Sequence, residues 1–191
     1  FAELKLAPPK SWEEFLAVCE ALKTAGKVPV AFGDQDGWPA FHMFSLMMNN
    51  AVGKEKLEQM MAGTASWDDP ATVEAVKDFF VDLNAKGYLI PTPTAVNYDD
   101  SGNLFKGGDA GMMITGTWLI SDITSNAKFK PGWFFLPKKG GGDPLPPAGL
   151  GSGWFVNAST KNADAAKKYI AFLFDPANAK LWTEGMNRFP T

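Results

Sequence analysis

The chain has 191 residues and a formal net charge of -3, with 46% hydrophobic and 20% charged residues. This composition is typical of a globular protein of one or two domains with an ordinary core. Its densest cationic stretch, residues 128–139, is split by proline and aromatic residues, which argues against nucleic acid or an anionic membrane as the partner. We therefore expect a small, roughly neutral ligand.

Cysteine and histidine each occur once in the chain. A disulfide within the chain and a zinc cluster are thereby excluded, and we expect no metal and no cofactor. Cys19 lies on the apolar face of a predicted helix, which predicts a buried, inert thiol. The chain has no apolar run near the length of a membrane span and starts at Phe1 without a basic and apolar leader, so we expect a mature, trimmed or excised chain.

Aromatic residues make up 13% of the chain, and seven of them are tryptophan. A tryptophan needs a partner for its indole N–H or a half-exposed position, unlike a phenylalanine in a core. Several of these tryptophans stand beside glycine and proline in predicted loops. The pattern favours a site at which flat rings meet a ligand.

The first part of the chain predicts helices around one buried strand. Ser11, followed three residues later by Glu14, is a capping-box start for a helix that Gly26 ends. An apolar strand is predicted at 28–32, and a polar turn follows it at 33–37. Trp38-Pro39 then leads into predicted helices at 40–50 and 54–62.

The rest of the chain continues this alternation. Asp69-Pro70 starts a helix that Gly87 closes, with a predicted buried stripe at Val73, Val76, Phe80 and Leu83. We predict a brief extended piece at 88–90, strands at 110–114, 133–136 and 154–156, and helices at 119–125, 163–174 and from Asp175-Pro176 to Gly185. Residues 137–153, rich in glycine and proline, are the best linker candidate. Short strands that alternate with amphipathic helices indicate an α/β fold.

Four segments in this order resemble the family 1 extracellular solute-binding proteins, the group that includes maltose-binding protein. They are residues 8–15 (PPKSWEEF), 105–113 (FKGGDAGMM) leading into Gly116-Thr117-Trp118, 151–156 (GSGWFV), and 165–176 together with the ending RFPT. Gly108 and Gly111 depart from the family's usual G-K-A-A-M, and Ala179-Lys180 stands where a glutamine is usual.

The resemblance implies a lobe of the periplasmic-binding-protein type II fold, with a mixed sheet flanked by helices and the first lobe largely missing. Residues 1–147 would form the second, C-terminal lobe. Residues 148–191 would form the return through the hinge and a strand and helix pair that normally packs on the absent first lobe. Family members are about twice as long, so we expect a fragment or one chain of a split protein.

The implied function is capture of a mono- or oligosaccharide between two lobes, as the extracytoplasmic component of an ABC transporter and not as an enzyme. The expected partners are a sugar, the membrane subunits of the importer, and the missing N-terminal lobe or a swapped copy of this chain. The expected location is periplasmic or extracellular, with a lipid anchor on the precursor left open. The alternatives are a binder of another small solute, such as a polyamine, and a glycosidase.

If the ligand is a sugar, the best candidates for its site are tryptophans next to polar side chains. A sugar presents an apolar face to an aromatic ring and hydroxyl groups to planar polar side chains around its rim. Trp118 is the first candidate, because it follows Gly116 and Thr117 at a strand-to-helix turn and resembles the family's stacking tryptophan in position. The alternative is a tryptophan that plugs the end of a strand.

Trp38 is the second candidate ring, beside the polar turn that holds Gln35 and Asp36. Gln35, Asp36 and His42 would contact sugar hydroxyls, although an ordinary structural role is favoured for His42. An acidic aromatic box that Asp34, Asp36 and Trp38 begin to form would instead suit a polyamine.

The hinge return supplies the remaining candidates. Gly151 and Ser152 would present backbone N–H groups to a ligand, and a plain hinge is an equally good account of them. Trp154 is a candidate for another stacking ring, with core packing slightly favoured. Paired carboxylates of the glycosidase kind occur at Asp68-Asp69 and Asp99-Asp100. Asp69 is better explained as a helix cap before Pro70, and nothing in the sequence marks Asp99 or Asp100 as buried.

Overall fold

The computed structural model describes residues 1–147, 153–178, 180, 181 and 184. The helices are α1 (Trp12–Thr24), α2 (Trp38–Met61), α3 (Pro70–Val76), α4 (Tyr98–Gly107), α5 (Ile120–Asn126) and α6 (Ala163–Leu173), and the strands are β1 (Val28–Ala31) and β2 (Ala110–Met113). A π-helix at Lys77–Leu83 continues α3. The chain divides into two compact units, which are residues 1–114 with 127–147 (unit 1) and residues 115–126 with 148–191 (unit 2).

Helix α1 begins where the sequence predicts. The Ser11 hydroxyl accepts a hydrogen bond from the backbone N–H of Glu14 at 3.2 Å, and the Glu14 carboxylate accepts one from the N–H of Lys10 at 2.7 Å. The first bond satisfies a backbone donor that a helix start leaves without an internal partner, and the second ties the residue before the cap to the first turn. The apolar face of α1 is buried in the core of unit 1 through Trp12, Phe15, Val18, Cys19 and Leu22.

The small sheet of unit 1 is parallel. Strand β1 pairs with β2 in the register Val28 with Ala110 and Val30 with Met112, and Val30 also forms a parallel bridge to Leu89. Helices α1 and α4 pack against β1. Every strand pair among the described residues is parallel, so the mixed pairing expected of the sheet is not found in this part of the chain.

The strand predicted at 133–136 does not form. Phe134 and Leu136 pack on the core, whereas Trp133 and Phe135 are 72% and 51% exposed, so the side chains alternate as in a strand. The segment nevertheless pairs with no strand among the described residues. Prolines on both sides of it lack the N–H that a ladder needs.

Helix α3 starts as predicted, but its buried side differs from the predicted stripe. The side chain of Asp69 accepts a hydrogen bond from the N–H of Ala71 at 3.0 Å. The buried residues are Thr72, Ala75, Phe79 and Leu83, whereas Val73 is 54% exposed. The predicted stripe was therefore wrong by one position over most of its length.

The described part of the predicted linker, residues 137–147, is hydrogen-bonded to the rest of unit 1. Lys139 Nζ donates hydrogen bonds at 2.8 Å to the carboxylates of Glu74 and Asp78, and the N–H of Leu145 donates to Asn50 Oδ1 at 2.8 Å. The bonds with Asp78 and Glu74 raise the pKa of Lys139. Residues 137–147 are thus held against unit 1, up to the boundary with unit 2. Residues 148–152 lie outside the described part, and the linker stays a prediction.

Unit 2 contains no buried residue among those that the structure describes. The strand predicted at 154–156 is extended chain without a ladder partner in the part of the chain that the structure describes, and Phe155 is 90% exposed. Helix α6 occurs where it was predicted, with no side chain buried. Residues 115–126 group with the C-terminal segment in this division, and the assignment of 1–147 and 148–191 to parts of two lobes stays a prediction.

The loop between β1 and α2 lies against residues 93–98, far away in sequence. The N–H of Asp34 donates to the carbonyl of Pro93 at 2.9 Å, and the N–H of Gln35 donates to the carbonyl of Val96 at 3.0 Å. A Cβ atom added at Gly33 would lie 2.4 Å from the carbonyl oxygen of Asn97. Gly33 is therefore required by the close approach of two backbones.

Cys19 should be unreactive in the native protein. Its side chain is fully buried, and this burial raises the pKa of the thiol to about 12, so that almost no thiolate is present at pH 8. We expect a chromogenic disulfide reagent to leave the folded chain unlabelled at pH 8 and to label one thiol per chain in guanidinium. Stoichiometric labelling of the folded chain would contradict the buried position.

Substitution of Gly33 by alanine should destabilise unit 1. The new methyl group forces the β1–α2 loop away from Asn97, and overpacking of this kind costs about 1–3 kcal/mol. Urea denaturation measures the loss, with Gly132→Ala as the matched control, because an added Cβ there meets no atom within 4 Å. Equal midpoints for the two variants would show that the close approach is not required.

Candidate functional site

The two aspartates of the β1–α2 loop each hold the start of a different helix. Asp34 Oδ1 accepts a hydrogen bond from the N–H of Ala40 in α2 at 2.7 Å. Asp36 Oδ2 accepts one from the N–H of Tyr98 in α4 at 2.9 Å. Negative charge is favoured at helix starts, where backbone donors lack internal partners. The loop therefore fixes the first turns of α2 and α4 relative to each other.

The aromatic residues of these first turns lie together. The ring centroids of Trp38 and Tyr98 are 4.5 Å apart at an interplanar angle of 55°. The ring of His42, one turn further along α2, meets Trp38 edge-on at 5.9 Å. Trp38 is still 40% exposed, so part of the indole is accessible to a ligand.

A concavity of about 860 Å³ opens to solvent next to this aromatic pair. It is lined by Gln35, Asp36, Trp38, Asn97, Tyr98, Asp99 and Asp100. We call it the β1 pocket, because it lies beyond the carboxyl end of β1. That end of a strand is a common place for ligands in open α/β sheets.

The lining of the β1 pocket combines rings, amides and carboxylates. Amides donate and accept hydrogen bonds, and carboxylates accept them, so the rim matches the hydroxyl groups of a sugar. Asn97 and Asp100 also bind each other, since Asn97 Nδ2 donates to the Asp100 carboxylate at 2.8 Å. Three of the lining residues are acidic and none is basic, which gives the pocket a negative potential.

The structure brings together three of the predicted site residues, which are Gln35, Asp36 and Trp38, with His42 against the Trp38 ring. Asp36 has an additional role that the sequence reasoning missed, since one of its oxygens binds the start of α4. Whether these side chains contact a ligand stays a prediction.

Residues 97–100 were missed as part of the site, and α4 was missed as a helix. Asn97 is the N-cap of α4, and its side-chain oxygen accepts a hydrogen bond from the N–H of Asp100 at 2.8 Å. An asparagine followed by two acidic residues in the first turn is a recognisable helix start. The sequence therefore contained a signal for α4, although not for its position beside Trp38.

Trp118 belongs to unit 2, together with Gly116 and Thr117. The turn of 3-10 helix at Thr117–Leu119 precedes α5, as the sequence predicted for a turn into a helix. A Cβ atom added at Gly116 would lie 2.0 Å from the Trp118 ring, so the indole folds back over the glycine. Trp118 remains 38% exposed, and its role as a stacking ring stays a prediction.

The candidates in the hinge return are only partly described. Gly151 and Ser152 lie outside the described residues. Trp154 is 47% exposed in an extended segment of unit 2. Its role stays a prediction too.

No group of three or more histidine, cysteine, aspartate or glutamate side chains in the described ranges is placed to hold a metal ion. No helix in the described part combines the length and the apolar character that a membrane span needs. Asp69, from the Asp68-Asp69 pair, caps α3 and forms an ion pair with Lys56.

Comparison with known proteins gives consistent matches along the chain. The profile described as bacterial extracellular solute-binding protein matches residues 1–180. An uncharacterized ABC transporter extracellular-binding protein of Pyrococcus horikoshii is 31% identical over 169 residues, which cover 86% of this chain and 36% of that protein. The multiple sugar-binding protein of Streptococcus mutans is 24% identical over 180 residues, which cover 91% and 42%.

A solved structure gives the same match. A chitin oligosaccharide binding protein is similar over 100% of this chain and 49% of its own chain, with a TM-score of 0.88 and 27% sequence identity. The predicted type II lobe is thereby confirmed. The chain spans about half of that structure and 36% and 42% of the two curated relatives. By the match to residues 1–180, this chain belongs to the bacterial extracellular solute-binding protein family.

Proposed function

We propose that this chain is the sugar-capturing part of an extracytoplasmic component of an ABC importer, and that it is not an enzyme. The β1 pocket carries the proposal, because it combines an accessible tryptophan ring with a rim of amides and carboxylates. The ligand is a mono- or oligosaccharide. The protein works in the periplasm or outside the cell, where the membrane subunits of the importer are its partners.

The pocket suits a sugar for a physical reason. The apolar face of a pyranose packs on the Trp38 ring, where it removes apolar surface from water. The hydroxyl groups around the ring exchange hydrogen bonds with the amides of Gln35 and Asn97 and donate to the carboxylate of Asp99. Such a site would distinguish one sugar from another by ring stacking and by the geometry of the hydroxyl groups. A single charged group would not provide this selectivity.

An open pocket of this kind captures its ligand weakly. Sites for small molecules usually bury most of the ligand surface, whereas the β1 pocket opens to solvent. In the proposed mechanism a second lobe closes over the sugar, and the ligand stabilises the closed state by its additional contacts there. The closed form is the one that docks on the importer.

Relatives support a sugar as the ligand. The Streptococcus mutans relative is named a multiple sugar-binding protein, and the solved structure at 27% identity is named for chitin oligosaccharides. A further solved structure, at 26% identity and a TM-score of 0.65, is described as a solute receptor that prefers β-D-galactopyranose. These names differ in the sugar, so we propose the class and not one member.

A second lobe is also the proposed partner of unit 2. Large apolar side chains of this unit are exposed, namely Trp154, Phe155, Tyr169, Phe172 and Phe174. Exposed apolar surface on this scale marks an interaction site. We propose that it packs on the N-terminal lobe that relatives of about twice this length possess, or on a swapped copy of this chain.

A cationic solute such as a polyamine is the second candidate. The acidic side chains of the β1 pocket, Asp36, Asp99 and Asp100, stand beside the Trp38 and Tyr98 rings, and a cation is attracted both to carboxylates and to ring faces. The two candidates differ in salt dependence, because screening weakens the binding of a cation and leaves stacking of a neutral sugar nearly unchanged.

A glycosidase is the least supported alternative. Asp36 and Asp100 are engaged at the start of α4, by the Tyr98 N–H and the Asn97 amide. They stabilise the pocket wall, and this role accounts for them without catalysis. Release of a reducing sugar from an oligosaccharide by the purified chain would favour the enzyme instead.

Substitution of Trp38 by alanine should weaken sugar binding. We expect the isolated chain to bind with a dissociation constant of about 1 mM or weaker, and loss of the ring to weaken this roughly three- to tenfold. Amide shifts of Gln35 and Asn97 in NMR titrations with saccharides and with spermidine measure the affinity. If Trp118 is also a stacking ring, Trp118→Ala should weaken binding by a similar factor.

The matched control is Trp133→Ala, because Trp133 is 72% exposed and does not line the β1 pocket. Equal effects of Trp38→Ala and Trp133→Ala would refute the site. Micromolar affinity of the isolated chain, measured by calorimetry, would refute the need for a second lobe. Salt-sensitive binding of spermidine without binding of any saccharide would favour the cationic solute.

The exposed apolar surface of unit 2 should cause self-association. We expect sedimentation velocity to show oligomers that grow with protein concentration, and the double variant Phe155→Ser with Phe172→Ser to reduce them. Val73→Ser is the control, because Val73 is exposed on unit 1. A monomer at all concentrations that binds no hydrophobic dye would count against the proposed lobe contact.

A further inference from the structure

Aromatic residues continue from the β1 pocket along the surface of α2. Trp38, Phe41 and Phe44 are spaced three residues apart on this helix, and the ring of Phe44 lies 5.9 Å from that of Trp67 at an angle of 36°. Phe41 is 71% exposed and Trp67 is 42% exposed. We call Trp38, Phe41, Phe44 and Trp67 the α2 aromatic stripe.

The packing of α2 on the core does not explain why an aromatic residue stands at the exposed position 41. The helix contributes to the core through methionines, and Met43, Met47 and Met48 are 2%, 6% and 0% exposed. Single exposed apolar residues are normal on a protein surface. Phe41, however, lies on the helix between Trp38, which lines the pocket, and Phe44, whose ring is tilted against that of Trp67. Exposed apolar side chains grouped in this way mark an interaction site.

The dimensions of the stripe suit a chain of sugar rings. Residues three apart on a helix are surface neighbours, with Cβ atoms about 5–6 Å apart. The rise of about 1.5 Å per residue sets Trp38 and Phe44 roughly 9 Å apart along the axis, which is comparable with two linked pyranose rings. The adjoining pocket of about 860 Å³ is also near the upper end of the usual range for small-molecule sites, about 300–1,000 Å³.

Polar groups border the stripe where sugar hydroxyls would lie. His42 is adjacent to Phe41 in sequence, and its imidazole meets the Trp38 ring edge-on. The lining carboxylates of the pocket lie at the Trp38 end of the stripe. The stripe is thus apolar along its length. Polar groups lie at its pocket end, where the carboxylates are, and beside Trp38, where His42 is.

We propose that Phe41 is a second sugar-stacking position, and that the ligand is a linear oligosaccharide. Its first ring lies on Trp38 in the β1 pocket, its next ring lies on Phe41, and the Phe44–Trp67 pair bounds the site at the far end. The inference rests on the proposed function, because it extends the same pocket. It assigns the oligosaccharide, and not the monosaccharide, as the preferred ligand.

The test compares matched saccharides of one and three units. The probes are N-acetylglucosamine with its β-1,4 trimer, xylose with xylotriose, and glucose with maltotriose, each titrated into the chain and followed by amide shifts. For the pair that binds, we expect the trimer to bind roughly three- to tenfold more tightly, with shifts at Phe41 and Trp67 that the monomer does not cause.

Substitution of Phe41 by alanine should remove the advantage of the trimer. We expect the ratio of the two affinities to fall to within about twofold of one, because only the second ring loses its stacking partner. Phe41→Tyr retains a ring and should keep most of the ratio. Phe135→Ala is the matched control, since Phe135 is 51% exposed in the same unit and lies outside the pocket.

The outcomes separate the two proposals. Equal affinities for monomer and trimer, or equal ratios in Phe41→Ala and Phe135→Ala, would overturn the inference and leave the β1 pocket as a monosaccharide site. No shift at Gln35 or Asn97 with any saccharide would overturn both. Thermal unfolding of Phe41→Ala verifies the fold, which an exposed side chain should hardly affect.

Discussion

The β1 pocket depends on the docking of the β1–α2 loop against the segment that leads into α4. At Gly33 the two backbones approach so closely that no side chain fits, and Asp36 then bonds to the start of α4 across 62 residues of sequence. Asp34 bonds to the start of α2 in the same loop. Three elements thereby meet at one point, and Trp38 and Tyr98 become neighbours because their helices start there.

The same geometry explains why the pocket is both ordered and open. Its polar residues hold each other and the helix starts, so little conformational entropy remains to be lost when a ligand binds. All of its lining residues belong to unit 1 and it opens to solvent, so a ligand placed on Trp38 would stay in contact with water. Weak capture followed by closure of a second lobe is the mechanism that such a surface supports, and an aromatic stripe leading out of it favours a ligand longer than one ring.

The two units differ in how they are stabilised. Unit 1 has a continuous core around Phe15, Val30 and Phe79, and its C-terminal extension is fastened by Lys139 and Leu145. The described residues of unit 2 have no buried side chain at all. An amphipathic helix gains most of its stability from packing of its apolar face, and α6 as described has no buried side chain.

The sequence by itself determined the features that depend on near neighbours. Ser11 and Asp69 cap helices within a few residues of themselves, and the order of four local patterns was enough to identify the family. The tertiary structure alone decided which side of α3 is buried, with Thr72 inside and Val73 outside, because the partner surface and not hydrophobicity selects the face. It also decided that 133–136 finds no strand to pair with, since a ladder needs a second segment at the right distance. The pocket belongs to this second group, because residues 33–38 and 97–100 carry no mutual signal until the backbone at Gly33 brings them into contact.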